Sequence, residues 1–115
     1  MQCTKFSEAK PHVAPKHNGC VGYRLQGLDA TTAKHFWVGL THFLPGGNIE
    51  LGAGPTEKIY FVISGEITVT AGGQTVVLRE NDSCVIPAHE ARSAVNNSHQ
   101  PVTILVVMST VEEPA

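Results

Sequence analysis

PGGNIELGAGPTEKIYFVISGE, residues 45–66, holds the reading that decides the fold. Two turn-forming clusters, Pro45-Gly46-Gly47 and Ser64-Gly65, bracket a Gly-rich segment and the apolar stretch IYFVIS. A proline followed by two glycines cannot continue a central strand and suits a turn. The run before it, His35 to Phe43, is rich in aromatic and branched residues and reads as a strand.

Working outward, strand signals continue to the end of the chain while helical periodicity is missing. Lys58 to Ile63 and Glu66 to Thr70 are strands, and Ala71-Gly72-Gly73 then turns the chain into Gln74 to Leu78, which is a β-hairpin signal. Ser83 to Ile86 closes at Pro87, Arg92 to Val95 ends at Asn96-Asn97, and Val102 to Ser109 is nearly all apolar. Short strands at this density predict an all-β barrel or sandwich. Residues 1–34 carry Pro11, Pro15, Gly19, Gly22 and Gly27 with weak periodicity, so they read as an extended arm with one edge strand near Gly22 to Leu25. The expected organisation is an N-terminal arm over 1–34, a barrel over 35–110 and a loose tail over 111–115.

Composition narrows the class. A chain of 115 residues suits one domain. A hydrophobic content of 42% with 11 Gly and 7 Pro is that of a turn-rich soluble domain, and a formal charge of −2 supplies no basic face for nucleic acid or acidic lipid. VTILVVM falls far short of the roughly 20 apolar residues that span a bilayer, and the N-terminus lacks a charged-then-apolar leader. The expected location is the cytoplasm, without a nucleic-acid or membrane partner. Cys3, Cys20 and Cys84 are odd in number and scattered, and read as free thiols.

Over residues 36–108 the spacing resembles the cupin family. On the first cupin motif, G-x5-H-x-H-x3-E-x6-G, the glycines fall at Gly46 and Gly65 and the metal-ligand positions at Gly52, Gly54 and Lys58. On the second, G-x5-P-x-G-x2-H-x3-N, the segment NDSCVIPAHEARSAVN keeps Pro87 and Asn96 but has His89 at the second glycine and Arg92 at the histidine. The resemblance implies a single-domain jelly-roll barrel of the RmlC-like kind, a homodimer, and a pocket whose usual metal ligands are all replaced; the strand-capable N-terminal arm, read from the residues, is expected to pair with the open edge of the second subunit. Imidazoles and a carboxylate hold a divalent metal through lone pairs at fixed distances; glycine has none, and two cations oppose one. The expectation is therefore no metal and no cofactor, with His42, Glu50 and His89 as the residues from which relocated ligands would have to come.

The same positions gain a different chemistry. Placed inward beside Tyr60, Lys58 and Arg92 would recruit a small anionic ligand such as a carboxylate. Arg92 offers a two-bond grip on the anion, with Lys58 and Tyr60 as further substrate-binding groups. Lys58 also qualifies as a general base or imine-forming nucleophile, Tyr60 as an oxyanion donor and His89 as a proton carrier near neutrality. Each has a plainer reading: Lys58 as a solvated edge residue, Arg92 as a surface ion pair with Glu90 or Glu80, Tyr60 as core filling. Three functions follow: a metal-independent lyase, isomerase or decarboxylase acting on a small anionic metabolite, a non-catalytic binding or sensing module, and a metal-dependent enzyme with relocated ligands.

Overall fold

The structure is a computed structural model that describes residues 1–110. The tail expected at 111–115 lies outside the described residues. After a 3-10 turn at Phe6–Glu8 come nine strands: β1 (Pro11–His12), β2 (His17–Gln26), β3 (Phe36–Gly52), β4 (Lys58–Ser64), β5 (Ile67–Ala71), β6 (Gln74–Leu78), β7 (Ser83–Ile86), β8 (Arg92–Val95) and β9 (Val102–Ser109). They pair in the order β6-β5-β8-β3-β9-β4-β7, with β2 on the free flank of β3 and β1 on β2, which makes a nearly closed, all-β barrel. None of the described residues forms a helix long and apolar enough to cross a membrane.

Pro45-Gly46-Gly47 does not end a strand, contrary to the sequence expectation; it bends one. The first half of β3 pairs with β9 from Phe36 to Phe43, and the second half pairs with β8 from Asn48 to Gly52. Pro45 has no N–H to give a ladder, so the change of partner falls where nothing is lost. Gly46 takes φ +82, a conformation open to glycine at little cost. Gly47 is close-packed: a Cβ there would lie 2.4 Å from the Gly19 carbonyl oxygen. Turn chemistry is therefore spent on the corner that lets one strand serve two sheets.

Asn96 clamps this corner. Its backbone N–H donates to Gly47 O at 2.9 Å and its carbonyl accepts from Gly46 N at 2.8 Å. The side chain, fully buried, donates from Nδ2 to Gln100 O at 2.8 Å and to Phe43 O at 3.4 Å, while Oδ1 accepts from the Ser98 N–H and hydroxyl.

The N-terminal segment is more structured than expected. β2 runs ten residues rather than four and pairs with β3 of its own chain from His17↔Ile49 to Gln26↔Val38, with bulges at Asn18/Cys20 and Arg24/Gln26. One flank of the supposed arm is thus already occupied within the chain. Between the two sheets, Phe43, Val62, Ile67, Val102 and Ile104 are fully buried and form the centre of the core. Phe43 and Ile104 also floor a cavity at the other end of the barrel.

Replacing Asn96 by Ala keeps the two backbone bonds to Gly46 and Gly47 but removes the amide that serves Phe43 O, Gln100 O and the Ser98 N–H and hydroxyl. Asn96→Ala is expected to destabilise the fold by about 2 kcal/mol, against little change for exposed Asn97→Ala. Denaturant unfolding of both variants checks this.

Candidate functional site

The cavity has a volume of about 520 Å³ and is bounded by β2, β3, β4, β9 and the residues around Arg92. Strand alternation fixes what faces it: Lys58 and Tyr60 from β4, Thr41 and Phe43 from β3, Ile104, Val106 and Met108 from β9. Lys58 is opposite both Ile86 and Met108 in the ladders and only 5% exposed, so it is no solvated edge residue. Its Nζ donates to Thr56 O at 3.2 Å. Burial, and secondarily the Arg92 charge, hold its pKa below the ordinary lysine value.

Arg92 enters from the start of β8, where its backbone is opposite Gly52. Its Nε donates to the Tyr60 hydroxyl at 2.9 Å and its Nη1 to Gly52 O at 3.3 Å. A Cβ at position 52 would stand 3.7 Å from Nη1, an ordinary van der Waals contact, so the approach of Arg92 does not depend on glycine there. Nη2 has no protein partner among the described residues and remains available to an anion. Tyr60 is 2% exposed, and burial raises its pKa against the opposing pull of Arg92, so the phenol keeps its proton at neutral pH. Because its oxygen accepts from Arg92, its O–H is left to donate into the cavity.

Three of the four predicted site residues therefore come together. His89 does not join them: it is exposed on the loop after Pro87 and does not line the cavity. Its backbone explains its place in the motif. φ is +69, the left-handed region, and its N–H donates to Gly54 O at 2.7 Å, tying the loop to the cavity rim. A motif position occupied by glycine is one that demands this conformation.

The structure adds His17, which sequence reasoning left in the arm. It lines the cavity, and its Nδ1 donates to Pro15 O at 2.9 Å, which leaves Nε2 as the accepting nitrogen. Burial lowers its pKa despite that hydrogen bond, with the Arg92 and His12 charges acting in the same direction, so the ring favours the neutral form. Glu50 lines the rim but is exposed, and accepts from Asn18 Nδ2 at 3.0 Å. The only signal for His17 was its distance from Gly19 and Cys20 in a weakly alternating segment, too faint to show which way it faces.

Metal fits poorly here. Gly52, Gly54, Lys58 and Arg92 present two backbone positions and two cations to any divalent ion. The relocated set does not converge: His42 lies between cavity-facing Thr41 and Phe43 and so points outward, bonded to Thr103 Oγ1 at 2.8 Å and packed edge-on against Tyr23. Among the described residues no group of three His, Cys, Asp or Glu side chains could hold a metal.

The family model for the Cupin domain matches residues 39–108. The chain is a cupin. A β-D-galactosidase of Mycobacterium tuberculosis is 37% identical to it over 109 residues, covering 95% of this cupin and 94% of that protein. Among solved structures, the polyketide cyclase RemF of Streptomyces resistomycificus superimposes with a TM-score of 0.84 at 19% identity, over 99% of this cupin and 82% of that chain. An RmlC-like cupin of Shewanella frigidimarina does so with a TM-score of 0.81 at 18% identity, over 98% and 94%. These two likenesses establish the fold alone.

Two measurements follow from the site. Lys58 holds fewer protons folded than unfolded between its lowered pKa and the ordinary lysine value, so it disfavours folding below that window and stability rises with pH through it. Lys58→Met is expected to raise the melting temperature at neutral pH, with the gain shrinking as the pH approaches the ordinary lysine range. His89→Gly relieves the left-handed strain and is expected to stabilise by up to about 1 kcal/mol, read from the same melting curves.

Proposed function

We propose that this cupin binds a small carboxylate-bearing metabolite in the barrel cavity and transforms it by acid–base chemistry that does not use a metal. The observation that carries the reading is the presence of Lys58 and Arg92 in one cavity with no carboxylate on either. The ion pairs among the described residues, Arg24–Asp29 and Arg79–Glu66, involve neither of them. Two uncompensated cations beside apolar walls cost stability, and an anionic guest removes that cost.

The groups divide naturally between holding and reacting. Arg92, fixed by Tyr60 and Gly52, presents Nη2 to the carboxylate. The Tyr60 O–H donates to an oxygen on which negative charge develops. His17 Nε2, neutral near pH 7, accepts a proton from the bound molecule, and Lys58, its pKa lowered, takes or returns one. Lyases and isomerases of this kind remove or relocate a proton next to a carboxylate, whereas a decarboxylase breaks the bond to the carboxylate, releases carbon dioxide and delivers a proton to the carbon left behind; all three need a positioned proton carrier. A cavity of about 520 Å³ is within the range of small-molecule sites and admits a molecule the size of a hexose. A binding module that performs no reaction would share Arg92 and Tyr60 but be indifferent to His17.

Hydrolysis of β-D-galactosides is a second reading, favoured by the relative of that name at 37% identity. Glycoside cleavage ordinarily uses two carboxyl groups flanking the bond. Among the described residues Glu50 is the one carboxylate in the cavity lining, so a reaction run by these residues would need Tyr60 or His17 in place of the second.

Trp37, the sole tryptophan, lines the cavity and reports binding by fluorescence. Titration with pyruvate, lactate and D-galacturonate, with neutral D-galactose as comparison, is expected to show binding by carboxylates only. Arg92→Ala is expected to weaken it roughly 10- to 100-fold. Equal binding of galactose, together with release of nitrophenol from a nitrophenyl β-D-galactoside, would favour the second reading. Carboxylate binding unchanged in Arg92→Ala would overturn the first.

A further inference from the structure

The cavity has two unlike walls. Lys58 and Arg92 stand on β4 and β8, whereas β3 and β9 line it with Trp37, Phe43, Ile104, Val106 and Met108. Ladder partners align β3, β9 and β4 into rows. One row runs Trp37–Met108–Lys58 and the next Gly39–Val106–Tyr60. Gly39 faces the cavity without a side chain, and the indole of Trp37 takes that space: a Cβ at 39 would lie 3.1 Å from Cζ3 and 3.8 Å from Cε3 of the ring. Trp37 therefore leans along β3 into the row of Tyr60, whose hydroxyl holds Arg92. In that row Val106 alone separates Gly39 from Tyr60, and the two backbones are two strand spacings, about 10 Å, apart.

The polar groups of the lining are few and placed at one end. Among the described residues it contains no Asn, Gln, Ser or Asp, and Glu50 is exposed on the rim. Beyond Tyr60, the side-chain hydroxyls are those of Thr41 and Thr56. A ligand covered in hydroxyl groups would bury several of them without partners, which costs affinity. A short acid such as lactate has the opposite defect, since it satisfies Arg92 but leaves most of about 520 Å³ and the Trp37 end uncovered. Arg24, opposite Gly39 on β2, already has Asp29 at 3.2 Å, so its charge is met without a second anionic group on the ligand.

We propose that the guest of this cavity is an aryl carboxylate: one acid group at Arg92 and Lys58, and an aromatic ring on a short stem lying against Trp37, Val106 and Met108. The inference rests on the carboxylate reading of the site and narrows it to one class. Stem and ring together cover the distance from the cations to the indole. Aromatic pairs gain from offset or edge-to-face contact beyond the area they bury, and a thioether is favourable at a ring edge, so Trp37 and Met108 select an aromatic ring over a saturated one. Trp37 is thereby a specificity-determining residue, and Gly39 is what lets its ring reach the level of the acid-binding groups.

Calorimetric titration with phenyllactate and lactate compares one acid head with and without a ring. Phenyllactate is expected to bind at least about 10-fold more tightly than lactate or D-galacturonate, and at least about 10-fold more tightly than its own uncharged amide. Trp37→Leu keeps an apolar side chain and is expected to lower the ratio of phenyllactate to lactate affinity about 5-fold. If Trp37→Leu fails to fold, cyclohexyllactate decides on the native chain, and is expected to bind about 5-fold more weakly than phenyllactate. Lactate or D-galacturonate binding as tightly as phenyllactate, a ratio unmoved by Trp37→Leu, or cyclohexyllactate binding equally well would each overturn the aryl class and leave the carboxylate reading standing. Equal binding of acid and amide, or no binding of any acid, would instead remove that reading and the inference with it.

Discussion

A strand of 17 residues can belong to two sheets only if its backbone turns a corner, and β3 does so at Pro45–Gly47. The corner works because three features coincide: a residue with no N–H to lose, a glycine at φ +82, and a second glycine so close to Gly19 that a Cβ could not fit. Buried Asn96 holds it from β8's side through both backbone groups and its amide. The direction that β3 takes afterwards sets Gly52 opposite Arg92, and the loop that follows returns the chain at Lys58. The site is thus a consequence of the bend, with both cations delivered by elements that the bend positions.

What the bend delivers is unusual in electrostatic terms. Burying an ammonium group beside a half-buried guanidinium with no acid between them opposes folding; burial first, and the Arg92 charge second, hold the Lys58 pKa below the ordinary lysine value. Sites are commonly kept less stable than they could be where binding supplies the missing interaction. Tyr60 eases part of the strain by accepting from Arg92, and backbone carbonyls at Gly52 and Thr56 take one donor each. Neutral acceptors solvate the charges without cancelling them. On the proposed reading, that distinction separates an anion-binding cavity from a closed structural salt bridge.

Much of this was legible in the sequence because two periodicities coincided. Alternation marked β4 to β9 nearly to the residue, and the joint spacing of PGG, Gly65, Pro87 and Asn96 carried the barrel. The same register placed Lys58, Tyr60 and Arg92 inward, since side chains two apart on a strand share a face. The losses have physical causes. PGG reads locally as a turn, and only pairing with β8 and β9, far along the chain, shows it to be a bend. β2 is punctuated by glycines and takes its identity from β3, whose partner residues lie from Val38 to Ile49, so neither its length nor the inward direction of His17 could be read locally. His89 looked like chemistry because of its side chain, whereas its position is set by its backbone.

The most direct test of the account is the pKa of Lys58 itself, followed by nuclear magnetic resonance of its 13Cε in the free protein and with saturating D-galacturonate. An anion-seeking cation pair requires a value below that of ordinary lysine in the free protein, rising when the carboxylate binds. An ordinary value, unmoved by the carboxylate, would mean that Lys58 is already compensated and that the cavity was not built around an unpaired charge.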